Sequence, residues 1–232
     1  MLGLTNLSKA ERLREEDPHT DEMIAGVPTR IVVHRSRFEV DLNRQRSEAV
    51  YRTPSQAWGL AVWKQPLDDA LVARSLALHD SFYSMMRSLL DDIVRSHGRF
   101  VLLDVHSYNH RRHGPGADAT APAKAPAINV GTSSMPAQRW THVLDAFVDA
   151  TRAFDYRGSM LDVGIDVAFQ GRGALTRFVH EHYPQTGCAL AVEVKKVFMD
   201  EWTGVPYRAD IATLQQMFAS LLPALQAAIA RP

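Results

Sequence analysis

The chain has 232 residues, enough for one domain with a substantial core, and its 26 basic and 26 acidic residues give a formal charge of zero. This balance argues against general binding to nucleic acid or to anionic membranes, which needs a basic excess or patch. Cys188 is the only cysteine, which excludes an internal disulfide, and neither a membrane span nor a signal-peptide core is recognisable, so we expect a cytoplasmic protein.

The first 44 residues predict one short helix and one strand. Residues 8–16 are charged and predict a helix in which Ser8 is the N-cap and Glu11 completes a capping box. The β-branched residues 29–34 predict a strand. Residues 36–44 then alternate apolar and polar side chains in a strand-like pattern that ends in polar groups.

The middle of the chain contains the clearest helix and the clearest strand. Residues 68–96 have apolar side chains at three- and four-residue steps, which predicts an amphipathic helix closed by Gly98. The predicted buried face consists of Leu71, Leu78, Phe82, Met85, Leu89 and Ile93. Residues 100–107 begin with a nearly continuous apolar run, which predicts a buried strand of a parallel sheet. Residues 110–126 are rich in Gly, Pro and Ala and predict an irregular loop.

The last part of the chain alternates strands and helices, as is typical of the α/β class. The predicted strands are residues 127–131, 163–169 and 189–194, and the predicted helices are residues 136–154, 174–182 and 209–230. No internal repeat or linker divides the sequence. We therefore expect a single domain over residues 1–232.

The strongest chemical signal stands at the end of the strand over residues 100–107. This strand delivers Asp104, His106 and Ser107 at its carboxyl end, where α/β sheets place their ligand sites. One interpretation is a metal-ligating histidine with a nearby carboxylate. The other is a structural histidine that hydrogen-bonds into a loop.

Glu193 is the second signal, because it interrupts the apolar run of residues 189–194. Desolvation raises the pKa of a glutamate in such a run toward the range that a general base needs. The alternative is a salt bridge to Lys195, to Lys196 or to an arginine.

Two shorter patterns are weaker. Asn43 and Arg44 could hold a substrate carboxylate, since arginine binds carboxylates bidentately, although most such pairs are surface residues. His19 and Glu22 have the His-x-x-Glu spacing of some zinc peptidases. Chance spacing is the alternative for that pair.

Six segments, taken together and in order, carry a resemblance to a known family. They are EDPHTDE at residues 16–22, SRFEVDLNR at 36–44, DVHS at 104–107, INVGT at 128–132, FQGRGALTR at 169–177 and EVKKVFMDE at 193–201. With these segments the chain resembles the N-formylglutamate amidohydrolase family. That family is similar in fold to the zinc carboxypeptidases and to the aspartoacylase and succinylglutamate desuccinylase group.

The resemblance implies an α/β fold with a mixed, largely parallel sheet flanked by helices on both faces. It also implies a divalent metal, zinc, that activates water for attack on an amide or formamide carbonyl. The resemblance implies that His106 and Asp17 bind the metal, with His19 as a further candidate. It implies that Glu193 is the general base. It also implies that Asn43 and Arg44 bind a substrate carboxylate, with Arg37 and Arg177 as weaker candidates.

The sequence departs from the family pattern at two points. The family opens with a strand ending in Pro-His-(Ser/Ala)-Gly, whose histidine is expected to bind the metal, and no histidine precedes Asp17 here. A shortened sequence, substitution by His19, or loss of metal and activity would each explain this. Arg172 also stands inside what is otherwise a double-glycine motif, which leaves the substrate open.

We therefore expect a metal-dependent hydrolase that removes an N-acyl group, formyl above all, from an acidic amino acid. The expected partner is a small carboxylate-bearing molecule rather than nucleic acid or a membrane, and the oligomeric state is left open. The alternatives are hydrolysis of another N-acyl amino acid or small peptide, and a non-catalytic carboxylate-binding relative.

Overall fold

The computed structural model describes residues 2–231; Met1 and Pro232, the ends of the predicted domain, lie outside this range. The strands are β1 (Phe100–Tyr108), β2 (Ile128–Gly131), β3 (Asp155–Tyr156), β4 (Ser159–Met160), β5 (Val163–Ile165) and β6 (Gly187–Lys195). The α-helices are α1 (Lys9–Glu15), α2 (Thr20–Met23), α3 (Asp69–His97), α4 (Ala137–Ala153), α5 (Ala174–His182), α6 (Arg208–Ser220) and α7 (Leu222–Ile229).

Four strands form the main sheet in the order β1-β6-β2-β5, while β3 and β4 pair separately as an antiparallel hairpin. β1 runs parallel to β6 from Phe100, opposite Gly187, to Tyr108, opposite Lys195. β2 is antiparallel to β6 and parallel to β5. The prediction of a mixed, largely parallel sheet is therefore confirmed.

Helices cover both faces of this sheet, as predicted. On one face, Phe100 and Ala189 pack against Leu90 of α3 and Val179 of α5. On the other face, the strands pack against α4, α6 and α7 in the largest apolar cluster of the described residues. Because successive side chains alternate between faces, the odd-numbered residues of β6 and the even-numbered residues of β1 point toward α3 and α5. The candidate site lies on that face, at the carboxyl ends of both strands.

The ends of two helices follow the cap residues expected from the sequence. Ser8 and Glu11 form a reciprocal capping box at the start of α1, which satisfies backbone donors that a helix leaves unpaired. Asp68 accepts a hydrogen bond from Leu71 N at the start of α3, and Gly98 ends that helix with a φ of 78°, a conformation that glycine adopts without strain.

The buried face of α3 differs from the predicted face by about one residue. The helix buries Val72, Ser75, His79, Met86 and Leu90, whereas Met85 is 42% exposed. Two polar contacts of the helix account for this difference. His79 Nε2 lies 3.0 Å from the carbonyl oxygen of Arg44, and the Tyr83 hydroxyl donates to the carbonyl oxygen of Leu42 at 2.7 Å. These contacts fix the rotation of α3 against the segment that carries the candidate site.

The strand predicted over residues 29–34 is wrong, because this segment has no regular secondary structure. Ile31 and Val33 are exposed, so the β-branched pattern has no partner strand or core to pack against. Residues 36–44 likewise form turns rather than a strand, although Phe38 and Val40 are buried as the alternation indicated.

Three further segments differ from the predictions in length. The helix predicted over residues 209–230 is divided between α6 and α7, since Pro223 lies in the first turn of α7. β5 is shorter than the strand predicted over residues 163–169, because Asn129 Oδ1 accepts hydrogen bonds from the backbone amides of Val167 and Ala168. The loop over residues 110–126 is irregular as predicted, except for a short 3₁₀ helix at Pro122–Lys124.

Among residues 2–231, no helix combines the length and the apolar character that crossing a membrane requires.

Candidate active site

The candidate site is built on the parallel pairing of β1 with β6. His106 lies directly opposite Glu193 in this register, so the two side chains leave the same face of the sheet side by side. Asp104 lies two residues before His106 on that face and is 8% exposed. The sheet therefore brings together an imidazole and two carboxylates, as predicted for His106 and Glu193.

Asp17 reaches this group from the segment that follows α1. Its Oδ2 lies 3.1 Å from His106 Nδ1, and its Oδ1 accepts a hydrogen bond of 2.7 Å from the amide of Ser107. Burial alone would raise the pKa of Asp17, but the bonds and charges of His106 and Arg37, with the Ser107 amide, outweigh it and lower that pKa. Asp17 is thus held as a carboxylate beside His106.

The other ring nitrogen of His106 has two neighbours. Its Nε2 lies 3.0 Å from Asp104 Oδ1 and 2.9 Å from Asn43 Nδ2, so it can donate to the carboxylate or accept from the amide, but not both. Burial would lower the pKa of His106, but Asp104 and Asp17 raise it well above the usual value. The two carboxylates therefore favour the protonated form of the imidazole.

Glu193 has a contrasting environment. Burial raises the pKa of its carboxyl group to about 7, against the opposing charge of His106. The predicted alternative, a salt bridge to a neighbouring lysine, is not found among the described residues: Lys195 Nζ donates to the carbonyl oxygen of Ala125, and Lys196 Nζ donates to carbonyl oxygens of α1. A glutamate at the strand end, half ionised near neutral pH, is suited to accept a proton.

Arg37 is engaged by the protein itself. Its Nη2 lies 3.0 Å from Asp41 Oδ2, and its Nη1 lies 3.9 Å from Asp17 Oδ2. The Tyr51 hydroxyl donates to the same Asp41 oxygen. Arg37 therefore compensates two largely buried carboxylates, and its predicted role in substrate binding stays a prediction.

Asn43 connects three elements of the site. Besides its contact with His106, its Oδ1 accepts a hydrogen bond from Leu175 N of α5 at 3.2 Å. A Cβ at Gly173 would lie 2.3 Å from Asn43 Oδ1, so only glycine permits this approach. The carboxamide is thus held between β1 and α5, close to the imidazole.

The other two predicted carboxylate binders differ in their availability. The guanidinium of Arg44 lies 5.8 Å from the ring centroids of both Tyr51 and Trp58, and within residues 2–231 its side chain has no hydrogen-bonding or ionic partner. Arg177 Nη2 donates to the carbonyl oxygen of Arg172 at 3.1 Å. Arg44 is therefore the more available cation of the two.

His19 is not brought to His106 by any contact of the described residues. Its Nδ1 lies 2.7 Å from Glu22 Oε1, and its ring meets the edge of Phe198 with centroids 6.5 Å apart. Glu22 is in turn paired with Arg208 at 2.8 Å. The His-x-x-Glu spacing thus produces a local pair, and its predicted role as a metal ligand stays a prediction.

The described residues do not fit a catalytic zinc site, which normally takes three protein ligands. No group of three or more His, Cys, Asp or Glu side chains in this part of the chain could hold a metal ion. Both ring nitrogens of His106 already lie within hydrogen-bonding distance of carboxylates of the chain itself. One oxygen of Asp104, Oδ2, is buried without a hydrogen-bond partner, but a single oxygen is not a donor set. Zinc therefore stays a prediction.

The sequence placed Asp104 near His106 at the end of one strand, where residues two apart share a face, and the structure shows the contact at 3.0 Å. Sequence reasoning missed the contact of Asp41 with Arg37, since Asp41 lies in an irregular segment that the alternating pattern did not predict. The burial of Lys196, at 1% exposure, also had no signal in the sequence.

Solved structures that are similar to the chain include the following two. A crystal structure of N-formylglutamate amidohydrolase from Ralstonia eutropha JMP134 matches with a TM-score of 0.71 and 16% identity, over 97% of this chain and 86% of that chain. A gene product of Agrobacterium tumefaciens matches with a TM-score of 0.53 and 17% identity, over 83% of this chain and 68% of that chain. At these identities the likeness shows the fold alone.

No curated protein sequence matches the chain. The sequence model of the N-formylglutamate amidohydrolase family matches residues 1–199, which include every segment of the resemblance except the last two residues of EVKKVFMDE. The chain therefore belongs to the N-formylglutamate amidohydrolase family, a family of hydrolases that act on amide bonds.

Proposed function

We propose that the chain hydrolyses the amide bond of an N-acyl acidic amino acid, with N-formylglutamate as the first substrate to test. The family supports amide hydrolysis. One observation in the structure carries the assignment of the general base: Glu193, with a pKa raised to about 7, stands opposite His106 at the strand ends and has no hydrogen-bonding or ionic partner within residues 2–231.

In the proposed reaction, Glu193 removes a proton from water as the water oxygen attacks the acyl carbon. A base with a pKa near the working pH is best suited to this step. The proton then passes from Glu193 to the amine nitrogen as the carbon–nitrogen bond breaks. The products are formate, or the corresponding acid, and the free amino acid.

Positive charge for the negatively charged intermediate is available from the chain itself. His106 and Arg37 both act on the Glu193 carboxyl group as nearby positive charges. Fixed charges of this kind stabilise a developing oxyanion without reorganisation at the moment of reaction. His106 is held in place by Asp17 and Asp104, so its orientation is set before substrate binds.

Recognition of the substrate carboxylate is assigned to Arg44. Its guanidinium is the most available of the predicted set, and it lies 5.8 Å from the ring centroids of both Tyr51 and Trp58. A planar guanidinium without a competing partner can offer two parallel N–H donors to a carboxylate. Asn43 is assigned to placing the acyl group near His106, to which its amide nitrogen already lies close.

The test is release of formate from N-formylglutamate by the wild-type chain and by Glu193→Gln. The variant keeps the size of the side chain and removes the base, so we expect kcat to fall by about 10²- to 10⁴-fold. Glu181→Gln, an exposed glutamate on α5, is the matched control and should keep full activity. Turnover that survives in Glu193→Gln would place the base elsewhere.

A second candidate function is binding of a carboxylate without turnover. It is favoured by the full engagement of both ring nitrogens of His106, which leaves that ring no free atom for chemistry. Calorimetric binding of glutamate by a wild-type chain that releases no formate, with or without added zinc, would favour this candidate. Measured zinc content of the purified chain tests the metal prediction separately.

A further inference from the structure

The last carbonyl groups of α1 are bound by two cations from distant parts of the chain. Lys196 Nζ donates to the carbonyl oxygens of Arg14 at 2.5 Å and Glu16 at 2.9 Å. Arg37 Nη1 donates to the carbonyl oxygen of Glu15 at 3.1 Å. A helix leaves its final carbonyl groups without internal partners, and positive charge is favourable at that end. Three consecutive carbonyl groups are therefore satisfied by side chains.

Lys196 is the more deeply buried of these two cations, at 1% exposure. It directly follows β6, and its backbone amide donates to the carbonyl oxygen of Tyr108 at 3.0 Å, which fixes its backbone to the end of β1. Burial lowers the pKa of its ammonium group to about 8. A buried ammonium needs acceptors, and both acceptors described for it belong to the end of α1.

Asp17 depends on the position of this helix end. Glu16, whose carbonyl oxygen Lys196 binds, is the residue directly before Asp17. The carboxylate of Asp17 makes its contacts with Ser107 and His106 on β1, about 90 residues away along the chain. Short hydrogen bonds of this kind tolerate little displacement, so the end of α1 must be held in a fixed place relative to the sheet.

We propose that Lys196 is a positioning residue that holds the end of α1 against β6 and so sets the carboxylate of Asp17 against His106 and Ser107. It touches neither of the groups proposed to react. This inference rests on the proposed function only in giving His106 a place in the active site. The contacts themselves are tested without any substrate.

The neighbouring residue provides a matched control. Lys195 Nζ also donates to a backbone carbonyl oxygen, that of Ala125, at 2.8 Å. Ala125 lies in the loop before β2 and has no connection with Asp17. Removing the Lys195 ammonium group therefore deletes one hydrogen bond to a backbone carbonyl, and removing that of Lys196 deletes two. Only one of the two deletions loosens the segment that carries Asp17.

The experiment is NMR spectroscopy of the full chain in the wild type, Lys196→Met, Lys196→Arg and Lys195→Met. Two signals report the position of Asp17: the ring proton that His106 shares with it, and hydrogen exchange of the Ser107 amide that it binds. In Lys196→Met we expect loss of the ring-proton resonance and at least about tenfold faster exchange at Ser107. Lys196→Arg keeps a cation at this position and should largely retain both signals. Lys195→Met should give the same signals as the wild type.

Two results would overturn the inference: wild-type signals in a folded Lys196→Met chain, or equal losses in Lys195→Met. If Lys196→Met does not fold, Lys196→Gln takes its place, because an amide keeps two donors on a shorter side chain, and the same losses are then expected in part. Formate release separates this inference from the proposed function. A wild-type chain without turnover refutes the function, whereas the two NMR signals still decide the role of Lys196.

Discussion

Asp17 and Glu193 are two carboxylates beside the same imidazole, yet their surroundings move their pKa values in opposite directions. Asp17 accepts from the Ser107 amide and faces His106 and Arg37, which together outweigh burial and lower its pKa. Glu193 is desolvated without such donors, and its pKa rises to about 7. Similar burial therefore yields a fixed anion at one position and a proton acceptor at the other, because hydrogen bonding decides which form is stable.

The largest expected effect comes from removing the charge of the fixed anion. In Asp17→Asn, His106 and Arg37 lose a partner that stabilises their positive charges, so we expect the free energy of unfolding to fall by about 3 kcal/mol near neutral pH. Urea denaturation measures this value. Asp21→Asn, an exposed aspartate on α2, is the control and should change stability little.

The same variant has a defined pH dependence. A carboxylate whose folded pKa is lowered stabilises the fold above its unfolded pKa, and this stability is lost as the pH falls further. The difference between wild type and Asp17→Asn should therefore shrink as the pH drops below about 4, where the unfolded aspartate takes up its proton. An undiminished difference in acid would contradict the assigned environment of Asp17.

The next effect concerns the proton acceptor. Because Glu193 must be ionised to accept a proton, kcat/KM should rise with pH through about 7 and level off above it. At a pH two units below this value, the rate should be about hundredfold below the plateau. A profile that is flat across this range would remove Glu193 from the role of base.

A smaller effect is expected at the carboxylate-binding end of the site. Arg44→Ala removes a charge-assisted pair worth about 1.5–3 kcal/mol, so KM for N-formylglutamate should rise about tenfold or more while kcat changes little. An uncharged amide such as an N-formyl amino acid amide serves as the comparison substrate. Equal losses on the charged and the uncharged substrate would contradict the role given to Arg44.

The last effect is a gain in stability. The raised pKa of Glu193 means that ionising it in the folded chain is unfavourable, so the wild type loses stability as the pH rises from 4.5 to about 7. Glu193→Gln carries no such charge and should be more stable than the wild type above that range, by up to about 3 kcal/mol. Below it the two should be equal in thermal denaturation. Greater stability of the wild type above this range would mean that an unrecognised group binds the carboxylate.

Elements with strong local signals were predictable from the sequence. The capping residues Ser8 and Asp68 mark the starts of α1 and α3 in the structure as well. The helix predicted over residues 174–182 has the observed bounds of α5. Local hydrogen bonds and apolar periodicity determine such elements, so a single sequence contains the information. The strand predicted over residues 29–34 failed because a strand also needs a partner, which local sequence does not specify.

The candidate site was predictable in part. His106 and Glu193 stood out because polar groups interrupt apolar runs, and the parallel register of β1 and β6 brings them side by side. The contact of Asp17 with His106 came only through family resemblance, and the structure places it at 3.1 Å. The pairing of His19 with Glu22 shows the opposite case, in which a spacing typical of a metal site produces a local hydrogen-bonded pair.

The sequence by itself determined the helices and strands with strong caps or apolar runs, the class of the fold and the choice of His106 and Glu193 as candidate site residues. Only the tertiary structure decided the rotation of α3, the direction of the Lys196 ammonium group and the opposite pKa shifts of Asp17 and Glu193. The physical reason is the separation along the chain over which each interaction acts. Backbone caps and periodicity act over a few residues, whereas burial and charge pairing depend on groups about 90 positions apart that meet only after folding.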